Sequence, residues 1–125
     1  MRDSDARAKA HVWGLRAETY VKLYLMAKGY RILAQRFAVE QGEVDLIALR
    51  RDVIAFVEVK ARADFEAAFD AVTAQKRRRL STAARVWLAR NPWTHGMTYR
   101  GDIALVTPRR LPRHLEDAYT LALGQ

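Results

Sequence analysis

Apolar residues recur along the chain with two periods, and the changes between them divide it into helices and strands. A helical period runs from Ser4 to Lys28, with Gly29 as the C-terminal stop. Its apolar face is formed by Trp13, Ala17, Tyr20, Val21, Tyr24 and Leu25. A second helix is predicted from Thr73, a suitable N-cap, to Arg90, just before Asn91 and Pro92. Its apolar row is Leu80, Ala83, Ala84 and Trp87.

Strand patterns fill most of the remaining chain. They cover Tyr30–Val39, Glu43–Leu49, Val53–Lys60 and Thr98–Thr107. The stretch from Ala63 to Val72 reads as loop with a helical turn, and Pro112–Leu123 reads as either an edge strand or a short helix. This order predicts an α/β sandwich with a mixed central sheet flanked by helices, in a single domain over residues 1–125.

Composition excludes several classes of function. No apolar run approaches the roughly 18 residues of a membrane span, and the N-terminal stretch lacks the apolar core of a signal peptide, so a cytoplasmic location is expected. The absence of cysteine excludes disulfides, zinc–thiolate sites and thiol nucleophiles, and the three histidines show no ligand spacing. The net charge of +8 favours a polyanion such as nucleic acid, although an anionic membrane surface or an arginine-rich proteome explains it too.

The two central strands carry charged residues among Val, Ile, Leu and Phe. If the turn between them is symmetric about Arg51–Asp52, Asp45 lies opposite Glu58, and Glu43 lies opposite Lys60. All four side chains then share the face of Ile47, Leu49, Ile54 and Phe56. The opposite face is Val44, Leu46, Ala48, Val53, Ala55, Val57 and Val59.

Opposed carboxylates repel each other, and a divalent cation resolves the conflict. We therefore expect Asp45 and Glu58 to hold Mg²⁺ or Mn²⁺, with Lys60 positioning or deprotonating a water molecule for phosphodiester hydrolysis. The alternative is a salt-bridge ladder of Glu43 and Asp45 with Lys60, which the apolar character of both strands disfavours.

Residues on the two helices extend this site. Glu18 lies at the margin of the first apolar face, where it is either a solvated rim residue or part of the site. Lys76 falls in the inward-facing row of Leu80, where it is either a snorkelling chain or the partner of a phosphate or carboxylate in the site. Arg77 and Arg78, with Arg62, are candidates for contacts to a phosphate backbone.

These motifs resemble those of the YraN family within the PD-(D/E)XK nuclease superfamily. The matching residues are Gly14 with Ala17–Glu18, Gly42–Ile47, Phe56–Arg62, Lys76 with Arg77, Arg100 with Asp102, and Asp117–Tyr119. Gly101 departs from the pattern because it replaces an aromatic residue. The resemblance implies a restriction-endonuclease-like three-layer fold, similar to Holliday junction resolvases and to the catalytic domain of tRNA-splicing endonucleases.

The resemblance also implies roles for individual residues. Asp45 and Glu58 would bind the metal, Lys60 would assist the attacking water, and Glu18 would be an accessory acid. Gln75 or Lys76 would complete the site, and cleavage would leave a 3′-hydroxyl and a 5′-phosphate.

The sequence thus predicts a Mg²⁺-dependent nuclease for structured or damaged DNA, with RNA less favoured. Junction cleavage would suggest a homodimer with two-fold symmetry. One alternative is a nucleic-acid-binding module without catalysis. Another is a protein-interaction subunit that uses a sheet edge within Leu115–Leu123.

Overall fold

The computed structural model describes residues 16–65 and 72–124. Its elements are α1 (residues 16–27), β1 (Arg31–Val39), β2 (Gly42–Arg50), β3 (Val53–Ala61), α2 (Ala74–Arg90), a 3₁₀ turn (Pro92–Thr94), β4 (Thr98–Val106) and β5 (Arg113–Tyr119). Residues 4–15 of the first predicted helix and residues 66–71 of the ambiguous stretch lie outside the described residues. The segment left open as strand or helix is an edge strand, β5.

The five strands form one mixed sheet in the order β1-β2-β3-β4-β5. Neighbouring strands are antiparallel except β3 and β4, which are parallel and are joined through α2. Parallel neighbours need such a crossover because the chain must return to the starting edge of the sheet. The carboxyl ends of β3 and β4 therefore lie side by side, and the candidate residues collect at this end.

The helices cover opposite faces of the sheet. Ala17, Val21 and Leu25 of α1 pack on Leu46, Ala48, Ala55 and Val57. Leu80, Ala83, Ala84 and Trp87 of α2 pack on Ile47, Ile54 and Phe56. These two cores confirm the predicted three-layer α/β sandwich and the inward-facing row of α2. The predicted apolar face of α1 is confirmed at Ala17, Val21 and Leu25, but Tyr20 is 38% exposed, and Trp13 lies outside the described residues.

The predicted end of the first helix and both predicted ends of the second are also confirmed. The Thr73 hydroxyl accepts a hydrogen bond from the amide of Lys76 at 3.1 Å, and Asn91 ends α2. Gly29, with φ of +94°, takes the left-handed conformation that stops α1. None of the helices in the described part of the chain has the length and apolar character that a membrane crossing requires.

The predicted register of β2 and β3 is correct from Arg50↔Val53 to Leu46↔Val57. The predicted face of Val44 is wrong, because Val44 packs in the α2 core whereas Leu46 packs in the α1 core. The alternation of side chains is therefore interrupted at Asp45. On β1, Arg36 has φ of +54° at the corresponding position, so both strands are irregular at this point.

Two glycines permit close packing around this end of the sheet. A Cβ on Gly42 would lie 2.8 Å from the Arg79 carbonyl oxygen and from the Ala83 amide nitrogen, so α2 rests directly on the start of β2. At Gly101 a Cβ would lie 2.6 Å from the carbonyl oxygen of Tyr119 and 2.7 Å from its ring. The Tyr119 ring takes the space that an aromatic residue at position 101 would need, and its hydroxyl donates to the Phe56 carbonyl.

Candidate active site

Asp45 stands where β2 and β3 separate. The ladder between these strands ends at Leu46↔Val57. Beyond that point on β3, the backbone amide of Val59 donates a hydrogen bond to Asp45 Oδ2 at 2.7 Å. A side-chain carboxylate thus takes the place of a backbone carbonyl as the acceptor. This bond fixes the Asp45 carboxylate between the two strands, where it can meet a residue of β3.

Glu58 is that residue, and its carboxyl group is hydrogen-bonded to Asp45. Only 5% of Glu58 is exposed. Burial raises the pKa of Glu58 to about 8, with further contributions from the hydrogen bond and the negative charge of Asp45. Lys76 Nζ lies 3.2 Å from Glu58 Oε2 and opposes this rise, because an ammonium group favours the carboxylate form. At neutral pH Glu58 is therefore mostly protonated, and its carboxyl group can donate to Asp45.

Glu18 brings a third carboxyl group from α1. Its Oε1 is buried and makes no hydrogen bond with a described residue, although Arg36 Nε lies 3.5 Å away. Burial raises the pKa of Glu18, and the nearby Asp45 adds to this effect. A buried acceptor without a donor is costly, so this oxygen is suited to an external donor or cation.

These carboxyl groups line a cavity of about 550 Å³ between the two helices. Its acidic residues are Glu18, Glu43, Asp45 and Glu58, and its basic residues are Arg36, Arg62, Lys76 and Arg79. Glu43 lies at the exposed margin, where Arg79 is 3.8 Å away. An acidic centre surrounded by cations suits a substrate that brings both a metal ion and negative charge.

Only some of the predicted basic site residues line this cavity. Lys76 and Arg62 line the cavity. Lys60 follows Glu58 by two positions on β3 and is 5% exposed, yet it is not among the described residues that line this cavity. Arg77 and Arg78 are exposed on α2 and are also absent from that lining. The roles predicted for Lys60, Arg77 and Arg78 stay predictions.

Two lining residues escaped the sequence analysis, Arg36 and Arg79. Arg79 lies three residues after Lys76, so helical spacing could have placed it on the same side. Arg36 gave no such signal, because its direction depends on the irregular backbone of β1 opposite Asp45.

The donor set suits a hard divalent cation. Asp45 and Glu58 offer adjacent carboxylate oxygens, and the undonated Glu18 oxygen belongs to the same cavity. Within residues 16–65 and 72–124, no three His, Cys, Asp or Glu side chains form a ready-made cation cage. This arrangement is compatible with Mg²⁺, which commonly uses one or two carboxylates and completes its shell with water and substrate phosphate.

Residues 17–106 match the model of a family described as "Uncharacterised protein family UPF0102". The chain is 55% identical over 120 residues to a UPF0102 protein of Methylorubrum extorquens strain PA1, covering 95% of this chain and 94% of that protein. A UPF0102 protein of Methylocella silvestris is 48% identical over 124 residues, covering 99% of this chain and all of that protein (100%). The matched range includes the site residues from Glu18 to Arg79.

Proposed function

Because the chain belongs to the uncharacterised protein family UPF0102, we propose its function from the chemistry of its site: it is a Mg²⁺-dependent nuclease. The substrate we propose is structured or damaged DNA, with RNA as the second choice. For branched DNA we propose a homodimer, since two symmetric cuts need two sites.

One observation supports this proposal above the others. Asp45 and Glu58 are hydrogen-bonded to each other from adjacent strands, and the pKa of Glu58 is raised. A strained pair of acids in a cavity is typical of functional sites, because folding alone gains little from burying like charges together. A divalent cation would replace the proton of Glu58 and offset the repulsion that arises when both carboxylates are charged.

The residues of the chain divide the work of hydrolysis. Asp45 and Glu58 would hold the cation, which when bound polarises the scissile phosphodiester and favours deprotonation of the attacking water. Val59 holds Asp45 in place through its amide. Arg36 and Arg79 would bind the phosphate oxygens beside the cut, since guanidinium groups match phosphate geometry.

Two lysines are candidates for orienting the water. Lys76 Nζ already lies within 3.2 Å of Glu58, and its removal tests a role in the cavity. Lys60 is buried, so Lys60→Met, which keeps the length of the side chain, is the suitable variant. If Lys60 orients the water, Lys60→Met lowers kcat with folding intact. If Lys76 does so, Lys76→Met has that effect instead.

The test is cleavage by purified protein with Mg²⁺ or Mn²⁺ on linear and branched DNA and on matched RNA. We expect Asp45→Asn and Glu58→Gln to lower the rate by about 10³-fold or more, since metal chemistry supplies several kcal/mol. Asp52→Asn is the matched control because Asp52 is exposed in the turn at the opposite end of β2 and β3. Equal cleavage by wild type and Asp45→Asn would identify a contaminant and refute the proposal.

Two observations favour a second function, nucleic-acid binding without catalysis. The Lys76 ammonium already pairs with Glu58, and the described carboxylates form no three-ligand cluster. On this alternative, affinity for DNA is the same in Mg²⁺ and in EDTA and survives Glu58→Gln. A protein-interaction role for the β5 edge is disfavoured, because the charges of Arg113, Glu116 and Asp117 and the irregular backbone at Asp117 are features that block strand addition.

A further inference from the structure

A second cavity lies beneath the loop that joins β4 to β5. Its volume is about 370 Å³, and its lining includes Tyr20 of α1, Val106 at the end of β4, and Thr107, Arg109 and Arg110 of the loop. The role proposed for the carboxylate site leaves this cavity unexplained. Its two arginines and its hydroxyl groups suit an anion.

Thr107 gives independent evidence of a missing ligand. The residue is 4% exposed, it lines the cavity, and its Oγ1 is buried without a hydrogen-bond partner in the described part of the chain. Most buried hydroxyls are paired, because an unpaired one loses its bonds to water without replacement. A phosphate oxygen accepting from this hydroxyl would remove the deficit.

Arg109 occupies a backbone conformation that favours glycine. Its φ is +63°, in the turn that begins at Pro108. Because glycine adopts this conformation readily, Arg109→Gly removes the side chain without straining the turn. Neither Arg109 nor Arg110 makes an ion pair with a described residue, and the Arg110 guanidinium lies over the ring of Phe65 at 5.5 Å. Both charges are therefore available to an anionic ligand.

The two cavities are neighbours at the same end of the sheet. Ala17 lines the first and Tyr20 lines the second, and these residues are about one turn of α1 apart. On the sheet, the amide of Arg62, a residue of the first cavity, donates to the carbonyl of Val106, a residue of the second, at 3.0 Å. A nucleic-acid strand rises about 3.4 Å per nucleotide, so a few nucleotides reach from one cavity to the other.

We propose that Thr107, Arg109 and Arg110 form a second phosphate subsite, which holds the nucleic-acid backbone beside the nucleotide placed at Asp45 and Glu58. The inference rests on the proposed function for its substrate class. Its contribution is to affinity and register, since phosphate contacts position a strand without reading its sequence.

The test is the affinity of labelled single-stranded and duplex oligonucleotides in EDTA, measured at several salt concentrations. We expect Arg109→Gly to weaken binding about three- to tenfold and to lower the salt slope by about 0.9 for duplex or 0.7 for single strands. Arg51→Gly is a matched control, because Arg51 also has a left-handed backbone, with φ of +57°, but lies at the opposite end of the sheet. Thr107→Val should weaken binding without lowering Tm, because it removes an unpaired buried hydroxyl.

The outcomes separate this subsite from catalysis. Loss of affinity in Arg109→Gly but not in Arg51→Gly supports the subsite, even if no cleavage is ever detected. Equal affinity of the two variants overturns the subsite, even if Asp45-dependent cleavage is established. Tighter Arg109-dependent binding of inorganic phosphate or a mononucleotide than of the oligonucleotide, or such binding to phosphatidylglycerol vesicles alone, would overturn the assignment to a nucleic-acid backbone.

Discussion

Two buried acids lie on neighbouring parallel strands, Glu58 on β3 and Asp102 on β4. Their surroundings shift their pKa values in opposite directions. Asp102 has no exposed surface. Arg100 donates to both of its oxygens at 2.8 Å, His114 Nε2 lies 2.7 Å from Oδ2, and the Asp117 amide donates to Oδ1 at 3.0 Å. Burial raises the pKa of Asp102, but the hydrogen bonds from His114 and Arg100 outweigh it, and the net shift is downward.

The partners of Asp102 are themselves anchored. Lys28 Nζ lies 2.8 Å from His114 Nδ1, and because an ammonium can only donate, His114 Nε2–H is assigned as the donor to Asp102. Arg100 also donates to the Tyr30 hydroxyl at 2.7 Å. This network joins the turn after α1 to β4 and β5, so it has a structural role.

Glu58 receives much less compensation. Its neighbours are another acid, Asp45, and one half-exposed lysine, Lys76, and its pKa is raised. Burial alone therefore does not distinguish a functional acid from a structural one. The balance of donors around the acid does, because a charge that the fold compensates only in part is available to a ligand.

The largest effect should come from breaking the compensated cluster. Asp102→Asn removes the charge at the fully buried centre of this network and leaves the partly buried Arg100 guanidinium with only the exposed carboxylate of Glu116, 3.4 Å away. We expect a loss of about 3–5 kcal/mol in the free energy of unfolding. Urea denaturation measures it. A loss below about 1 kcal/mol would contradict the structural role, since exposed pairs are worth that little.

The corresponding acid-to-amide substitution at Glu58 should raise the free energy of unfolding instead of lowering it. Glu58→Gln removes a buried charge beside Asp45, and we expect a gain of about 1–3 kcal/mol at alkaline pH without divalent cations. The gain should shrink toward acidic pH, where Glu58 is protonated in the wild type. A loss of stability at pH 8.5 would show that Glu58 serves the fold.

How much of this contrast the sequence could predict depends on the range of the contacts. The register of β2 and β3 as far as Leu46↔Val57 followed from a short turn, because two neighbouring strands fix their own register. That register brings Asp45 and Glu58 close together just beyond the end of the ladder, where their side chains are hydrogen-bonded. The interrupted alternation that aims Asp45 between the strands was not predictable, since it depends on how β1 and α2 pack on β2. For Asp102 the sequence offered only a motif with Arg100.

The partners His114 and Lys28 could not be predicted at all. They require the pairing of β5 with β4, whose register shifts between Gly101 and Ile103, and the packing of the end of α1. Local patterns carry no information on such a shift. The sequence therefore predicted the fold and the paired acids better than the basic residues around them.

A smaller effect is expected in how pH changes both the stability of the protein and its affinity for Mg²⁺. Because the folded-state pKa of Glu58 is raised from 4.5 to about 8, the unfolded chain releases its proton first, and metal-free stability falls as pH rises between these values. A cation must displace the proton from Glu58, so Mg²⁺ affinity rises with pH and levels off above about 8.

Thermal unfolding with and without Mg²⁺ at several pH values measures this linkage. At a Mg²⁺ concentration ten times Kd the stabilisation is about 1.4 kcal/mol. We expect it at pH 8.5, less at pH 6, and none in Glu58→Gln at either pH. Asp102 gives the opposite dependence, since its lowered pKa makes its contribution disappear only as pH falls below 3.8. A Mg²⁺ effect independent of pH would contradict the protonated state of Glu58.

The smallest expected effect concerns Lys76, the weakly interacting partner of Glu58. Lys76 lowers the pKa of Glu58, but its side chain is 48% exposed, so solvent screens the pair and its worth is about 0.2–1 kcal/mol. Lys76→Met should therefore move the midpoint of the Mg²⁺ pH dependence upward by less than about one pH unit. Arg77→Met is the control, because it removes a charge from the next, exposed position of α2. An equal shift in both variants would mean that net charge, and not the contact with Glu58, tunes the site.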